Sequence, residues 1–220
     1  LQFALTQSNT FLDLGEQMRT GEGGEELGLF SSYMTAEATT YSLGLRGKKF
    51  PLFFGIGRTD KTATQVLAPD AGAGTEESAG SSTDKFYDWG IRLSIDNYTP
   101  SRLKNIGLTF SMGYSKSNIG DFIYFINKNQ ADPAPTTARF GITYGAKVTF
   151  LENLGIECRF IREAEDLMID LIENDGSYTR KYKEGLLGDI NIDKHIINGI
   201  ADEDVIIHKG REIKLFDFYS

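Results

Sequence analysis

Seven charged side chains, Asp88, Arg92, Asp96, Arg139, Lys147, Glu157 and Arg159, stand at alternate positions in stretches whose other residues are large and apolar. Acids and bases on neighbouring strands can pair across an interior, or orient a polar ligand along a pathway. The plainer role of such a cluster is a salt-bridged lining that satisfies polar groups facing a narrow lumen. The other chemistry-bearing residues offer less. His195 and His208, the two histidines, have no metal-ligand spacing to Cys158 or to each other and read as ordinary polar residues. Asp189-Ile-Asn-Ile-Asp193 imitates the start of a calcium loop, but Lys194 stands where the loop needs Gly and Ile200 where it needs Glu. Gly55-Ile-Gly57 lies inside a strand with no helix after it, so it is no nucleotide motif. No Ser-His-Asp, Cys-His or paired-carboxylate arrangement emerges. The expectation is a protein that is not an enzyme and has no cofactor and no metal.

The elements that position the seven charges are strands with a period of two. From Phe86 to Asp96, Tyr87, Trp89, Ile91, Leu93 and Ile95 point one way and Asp88, Gly90, Arg92, Ser94 and Asp96 the other. Ile106–Ser115 and Arg139–Phe150 repeat the pattern, and Thr39–Arg46, Phe50–Thr59 and Leu154–Arg162 follow it with Phe53 as an exception. Leu1–Thr6 and Ile206–Leu215 are weaker candidates. One face carries large apolar and aromatic residues, the other Gly, Ser, Thr and charges. In segments of roughly ten residues that is the pattern of an antiparallel transmembrane β-barrel, apolar toward lipid and polar toward the lumen. Cys158 falls on the lipid side as a small hydrophobe.

Connections give a second regularity. Gly47–Lys49, Asn97–Asn105 and Leu151–Asn153 are short, whereas 7–35, 60–85, 116–137 and 163–205 read as long loops, so short and long alternate as they do on the two sides of a membrane. On this topology Tyr41, Tyr87, Trp89, Tyr114, Phe140 and Phe160 sit near the extracellular ends of strands, and Phe50 and Phe150 beside periplasmic turns, as an aromatic girdle.

The 220 residues suffice for one domain, read here as a single β-barrel domain over 1–220. A net charge of -8 speaks against nucleic acid as a partner, and one cysteine excludes an internal disulfide framework. No apolar run approaches the length of a transmembrane helix. A soluble rival, a lipocalin-like barrel or β-sandwich binding protein, would bury the same alternating face and keep its loops short.

Three segments carry a resemblance to a known family: Tyr41-Ser-Leu-Gly-Leu45 with Phe50-Pro-Leu-Phe-Phe-Gly-Ile-Gly-Arg58, then Gly107-Leu-Thr-Phe-Ser-Met-Gly-Tyr114, and Gly210-Arg-Glu-Ile-Lys-Leu-Phe-Asp-Phe218. Together they resemble the FadL-like outer-membrane proteins of Gram-negative bacteria, in particular the PorV-like group associated with type IX secretion. The resemblance implies a bacterial outer-membrane location, lipid as a partner, and passage or capture of a hydrophobic small molecule. Its alternative is a non-transporting secretion partner that binds secreted protein cargo through extracellular loops. The group's Asn-Pro-Ala-Gly-containing start is absent here, and it has about fourteen strands against about eight, so the expectation is an internal piece of a larger barrel with open edges at Leu1–Thr6 and Ile206–Leu215.

Overall fold

The computed structural model describes residues 1–20, 23–48, 50–66, 81–123, 131–150, 154–174 and 177–217. The chain is all-β. Eight strands form one antiparallel sheet: β1 (Gln2–Thr20), β2 (Glu26–Arg46), β3 (Leu52–Val66), β4 (Ser81–Tyr98), β5 (Ile106–Gly120), β8 (Thr137–Thr149), β9 (Leu154–Leu167) and β12 (Val205–Asp217). Their order in the sheet is their order along the chain, with β1 and β12 outermost, and no ladder joins those two among the described residues. Two small hairpins, β6 (Phe122–Ile123) with β7 (Asp132–Pro133) and β10 (Ile169–Asn174) with β11 (Ser177–Tyr182), interrupt the meander. They are tied together where the Tyr182 hydroxyl accepts from Ala134 N–H at 2.7 Å. A single π-helical turn, Ile192–Ile197, precedes β12.

The strands are longer than the alternation alone indicates. β1 and β2 pair from Gln2↔Gly44 up to Thr20↔Glu26, so most of 7–35 is a paired hairpin and not a loop. The ladders of β3 likewise run on through Thr62 and Val66, into stretches expected as loops. The reason is physical. Above the apolar segment both faces become polar, as in Thr59–Gln65, so the hydrophobic period vanishes while backbone pairing continues; a ladder needs no apolar side chain.

Irregularities sit where the register shifts. The β4–β5 ladder skips between Tyr87 and Trp89 and again between Ile95 and Tyr98. Asn118 and Asn97, the non-glycine residues with positive φ among the described residues (56° and 51°), lie at these bulges. Asn tolerates the left-handed region better than most residues. At the upper bulge the Asn118 N–H is satisfied by Asp88 Oδ1 at 2.7 Å. Phe53, the exception to the alternation, lies on the polar face with its ring across Gly44 and Gly55; a Cβ on either would stand 2.8–2.9 Å from it. The two glycines leave room that the ring fills.

A proline at Thr62 separates a strand from a loop there. Thr62 pairs with Glu37 on one side and Lys85 on the other. Thr62→Pro is expected to lower the unfolding free energy by on the order of 2 kcal/mol in a denaturant titration. An unchanged midpoint would show that this stretch carries no ladder.

Candidate functional site: an exposed apolar band over a polar face

Registered neighbours show one face of the sheet as a continuous apolar surface. Leu43, Ile56, Ile91, Tyr114 and Phe140 lie in one row, and Leu45, Phe54, Leu93, Met112 and Ile142 in the next. Over much of this face none of the described residues covers it: Phe3 is 68% exposed, Ile56 45%, Ile213 71%. The polar face is the less exposed one. Along β3 exposed Leu52, Phe54 and Ile56 alternate with half-buried Phe53, Gly55 and Gly57. About fifteen band residues are more than a third exposed. At roughly 1 kcal/mol or more for each such side chain facing water, the cost would rival the ~5–15 kcal/mol stability of a whole domain.

The band has level edges once strand tilt is allowed for. Its upper edge is the first outward charge: Arg58 on β3 and Lys116 on β5, both opposite Trp89, then Arg162 on β9 and Arg211 on β12. Asp166 shares the row of Lys116 through Ala138, so the edge falls four residues to Arg162; Val205 shares that row too, so it falls six to Arg211. The lower edge falls in parallel. Leu52, the first residue of β3, shares its row with Phe160, while β9 continues six residues lower, to Leu154. Averaged from β3 across to β9 and β12, a fall of roughly one to one and a half residues per strand, with a ~3.3 Å rise and ~4.8 Å strand spacing, is the stagger of strands tilted by about 35–45°. On β5 the band, Ile106 to Tyr114, then stands about 20 Å tall, close to the ~25 Å of transmembrane barrels.

The expected girdle residues follow the upper edge but not the strand ends. Tyr41, Trp89, Tyr114, Phe140 and Phe160 descend across the sheet with the stagger, and Tyr87 stands one row above Trp89 under the Arg58 guanidinium, 4.5 Å from its ring. All lie well inside strands, because the ladders run past them. Phe150 is exposed at the lower turn, its N–H donating to Leu154 O. Cys158 is a free thiol between Ala146 and Ile213 on the apolar face.

All seven charges expected on the polar face lie there, but their partners are mostly residues the alternation did not single out. Asp88 takes Lys61 (2.6 Å), Asp96 takes Arg46 (3.8 Å), Arg139 takes Glu165 (2.9 Å), and Arg159 takes Glu212 (3.8 Å). Within the seven, Glu157 pairs with Arg159. Lys147 faces Glu157 across the ladder, and Arg92 projects between Gly55 and Gly113. Ser94 is 1% exposed opposite Phe53. The sheet also gathers Glu163, Glu165 and His208, whose ligand-capable atoms lie within 4.8 Å of one another. Spacing along the chain could not disclose this group, since β9 and β12 bring it together. Arg139 already holds Glu165, so the set has a cation in place.

Where apolar outward residues rise above the band's upper edge, the chain covers them itself. Tyr114, at that edge, and Ala138, Ala164 and Val205 are buried together with Met168, between β9 and β10, and with Ile190 and Ile196 from a flap over residues 183–204. Polar latches fasten it. The Tyr114 hydroxyl donates to Leu186 O (2.5 Å), and Arg162 Nη1 donates to Ile196 O (2.7 Å) and Ile197 O (2.5 Å). Fully buried Asp166 accepts from Lys183 Nζ (2.9 Å) and Asp189 N–H (2.7 Å). Gly188, at φ +55°, makes room, for a Cβ there would lie 2.0 Å from Asp166 Oδ2. His195, expected in a loop, is instead 1% exposed inside the π-helical turn, bonded to Asn191 N–H and Asp202. Asp202 is taken by Lys194, His195 and the Val205 N–H.

These latches set a pH range. The Lys194 hydrogen bond, then those of His195 and Val205 against some desolvation, hold the Asp202 carboxyl well below the usual carboxylate range. Burial opposes the charge on Lys183, but Asp189 and Asp166 outweigh it and raise its pKa above that of an ordinary lysine. A depressed acid stabilises above its unfolded pKa and loses that contribution as pH falls; a raised lysine stabilises below its unfolded pKa and loses it only in strong alkali.

No protein-family model matches the chain, and no curated protein matches it.

The flap lies against the environment of Trp89, the single tryptophan, which packs 5.1 Å from Tyr114. Its emission is expected to stay constant from about pH 5 to about pH 10 and to shift only in strong acid, well below the usual carboxylate range, where Asp202 protonates. Gly188→Ala should give the shifted spectrum already at pH 7. A spectrum unaffected by acid and by this variant would mean that the latches do not hold the flap.

Proposed function

We propose that this chain forms a wall of a transmembrane β-barrel in the bacterial outer membrane, a non-catalytic protein that supports transport there. One observation carries the reading: the large apolar side chains are the exposed ones, in a level band of roughly bilayer height, while the small and charged residues occupy the more enclosed face. A soluble barrel or sandwich would bury the apolar set. Lipid is the solvent in which this alternation costs nothing, and the paired charges and glycines behind it suit a hydrated lumen. The FadL-like resemblance adds a hydrophobic passenger.

A second reading has its own observation. The β1–β2 hairpin extends beyond the band with Phe11, Leu12, Met18 and Leu29 exposed, and Phe11 stacks on Tyr33 at 5.8 Å. Apolar side chains standing clear of both lipid and core suit a protein partner. That is the secretion-partner alternative, with cargo bound on the extracellular side.

Two experiments decide. In bilayers, Leu93→Arg at mid-band is expected to cost roughly 2–4 kcal/mol, and Ser111→Arg on the polar face less than about 1. Equal costs, or a folded monomer without detergent, would defeat the membrane reading. Proteoliposomes holding the full-length protein should then take up a labelled fatty acid. Absence of uptake with a secreted protein co-purifying, and loss of that protein on Phe11→Ser, would favour the partner reading.

A further inference from the structure

The outward face of β9 and β12 carries three cations at the band's upper edge. Arg162 faces Lys209 across the ladder, and Arg211 faces Phe160 one row below. Each shares its face with the apolar band, since cross-strand partners point the same way. Arg162 is engaged by the carbonyls of Ile196 and Ile197, whereas Lys209 and Arg211 are exposed and have no ion-pair or hydrogen-bond partner among the described residues. The acids nearest them on the same strands, Glu163, Glu165 and Glu212, point to the other face, and Asp166 is consumed by Lys183. Glu203 and Asp204 stand beyond the upper end of β12. In a chain with net charge -8, three outward cations without a facing acid are a local exception.

An apolar element lies directly against them. Gly199, at φ +65°, is so close that a Cβ would meet Arg162 Cζ and Lys209 Cε at 3.0 Å each. On either side of it Ile197 is 63% and Ile200 54% exposed. These isoleucines continue the band: the flap buries the outward residues above the edge, and its own uncovered side chains stand at the edge itself. A cationic pair beside exposed aliphatic side chains, at the line where apolar strands give way to charge, matches the boundary between acyl chains and headgroups.

The geometry points to a binding site for the phosphate of an anionic membrane lipid at Lys209 and Arg211, with Ile197 and Ile200 seated among its acyl chains. The inference rests on the membrane reading above. Arg162 is a positioning residue, since its guanidinium fixes the end of the π-helical turn and so places the two isoleucines. Lys209 and Arg211 supply the charge, on neighbouring rows of one strand, where both can approach one phosphate.

The test uses the full chain inserted in phosphatidylcholine nanodiscs, titrated with phosphatidylglycerol, the bound lipids being counted by native mass spectrometry. Retention of phosphatidylglycerol should exceed that of phosphatidylcholine by roughly tenfold, as expected for two cations near an anionic surface, and should fall as salt is raised. Lys209→Gln with Arg211→Gln should bring the two lipids within about twofold while the protein still inserts. Ile197→Ser with Ile200→Ser should weaken retention of both. Equal retention by the unaltered chain, or a preference that survives the double glutamine variant, would overturn the site and leave the membrane reading standing. A chain that inserts into neither bilayer would overturn the membrane reading, and the site with it.

Discussion

A sheet pairs all its backbone groups with its neighbours but can do nothing about the solvent on its two faces, and here the two faces ask for different solvents. Leu43, Ile56, Ile91 and Phe54 form a surface that water would penalise by an amount comparable to the stability of the domain. Ser42, Gly55, Arg92 and Glu157 on the reverse require hydrogen-bonding surroundings. Much else in the molecule answers to that split. The band keeps its height across strands because the strands tilt and both its edges fall together. Its upper edge is drawn by Arg58, Lys116, Arg162 and Arg211, one strand after another.

The flap is the local exception that obeys the same constraint. On β8, β9 and β12 apolar residues continue above the edge, through Ala138, Ala164 and Val205. There the chain between β11 and β12 folds back and supplies the missing apolar cover with Ile190 and Ile196, beside Met168 from the β9–β10 junction. Bringing those residues down requires burying the polar groups that travel with them. Asp166 meets Lys183 and the Asp189 amide, His195 meets Asp202, and Arg162 caps two carbonyls. Each buried polar group is paired, as groups removed from water must be.

On the polar face the same economy holds at lower cost. Lys61–Asp88, Arg139–Glu165 and Arg159–Glu212 are cross-strand pairs, partly hydrated, and they fix side-chain positions more than they add stability. Phe53 shows how a large residue can occupy that face: it lies flat over two glycines.

The alternation within Phe86–Asp96, Ile106–Ser115 and Arg139–Phe150 determined by itself that the chain is all-β, which residues share a face, and which of its faces is apolar. A period of two is a property of the pleat, and it survives in one dimension. The sequence stopped being informative where both faces turn polar, as along Thr59–Gln65, and so the strands were legible only as far as the band reached. Partners were beyond it altogether. Lys61 meets Asp88, and Glu163 and Glu165 meet His208, only because of register, which sets contacts between residues far apart in the chain and leaves no mark in local spacing. The segment 183–204 reads as an ordinary acidic loop. That it becomes a latched cover, with His195 buried and Arg162 at its end, was decided by tertiary structure, since apolar residues above the band needed a surface that their own strands could not give.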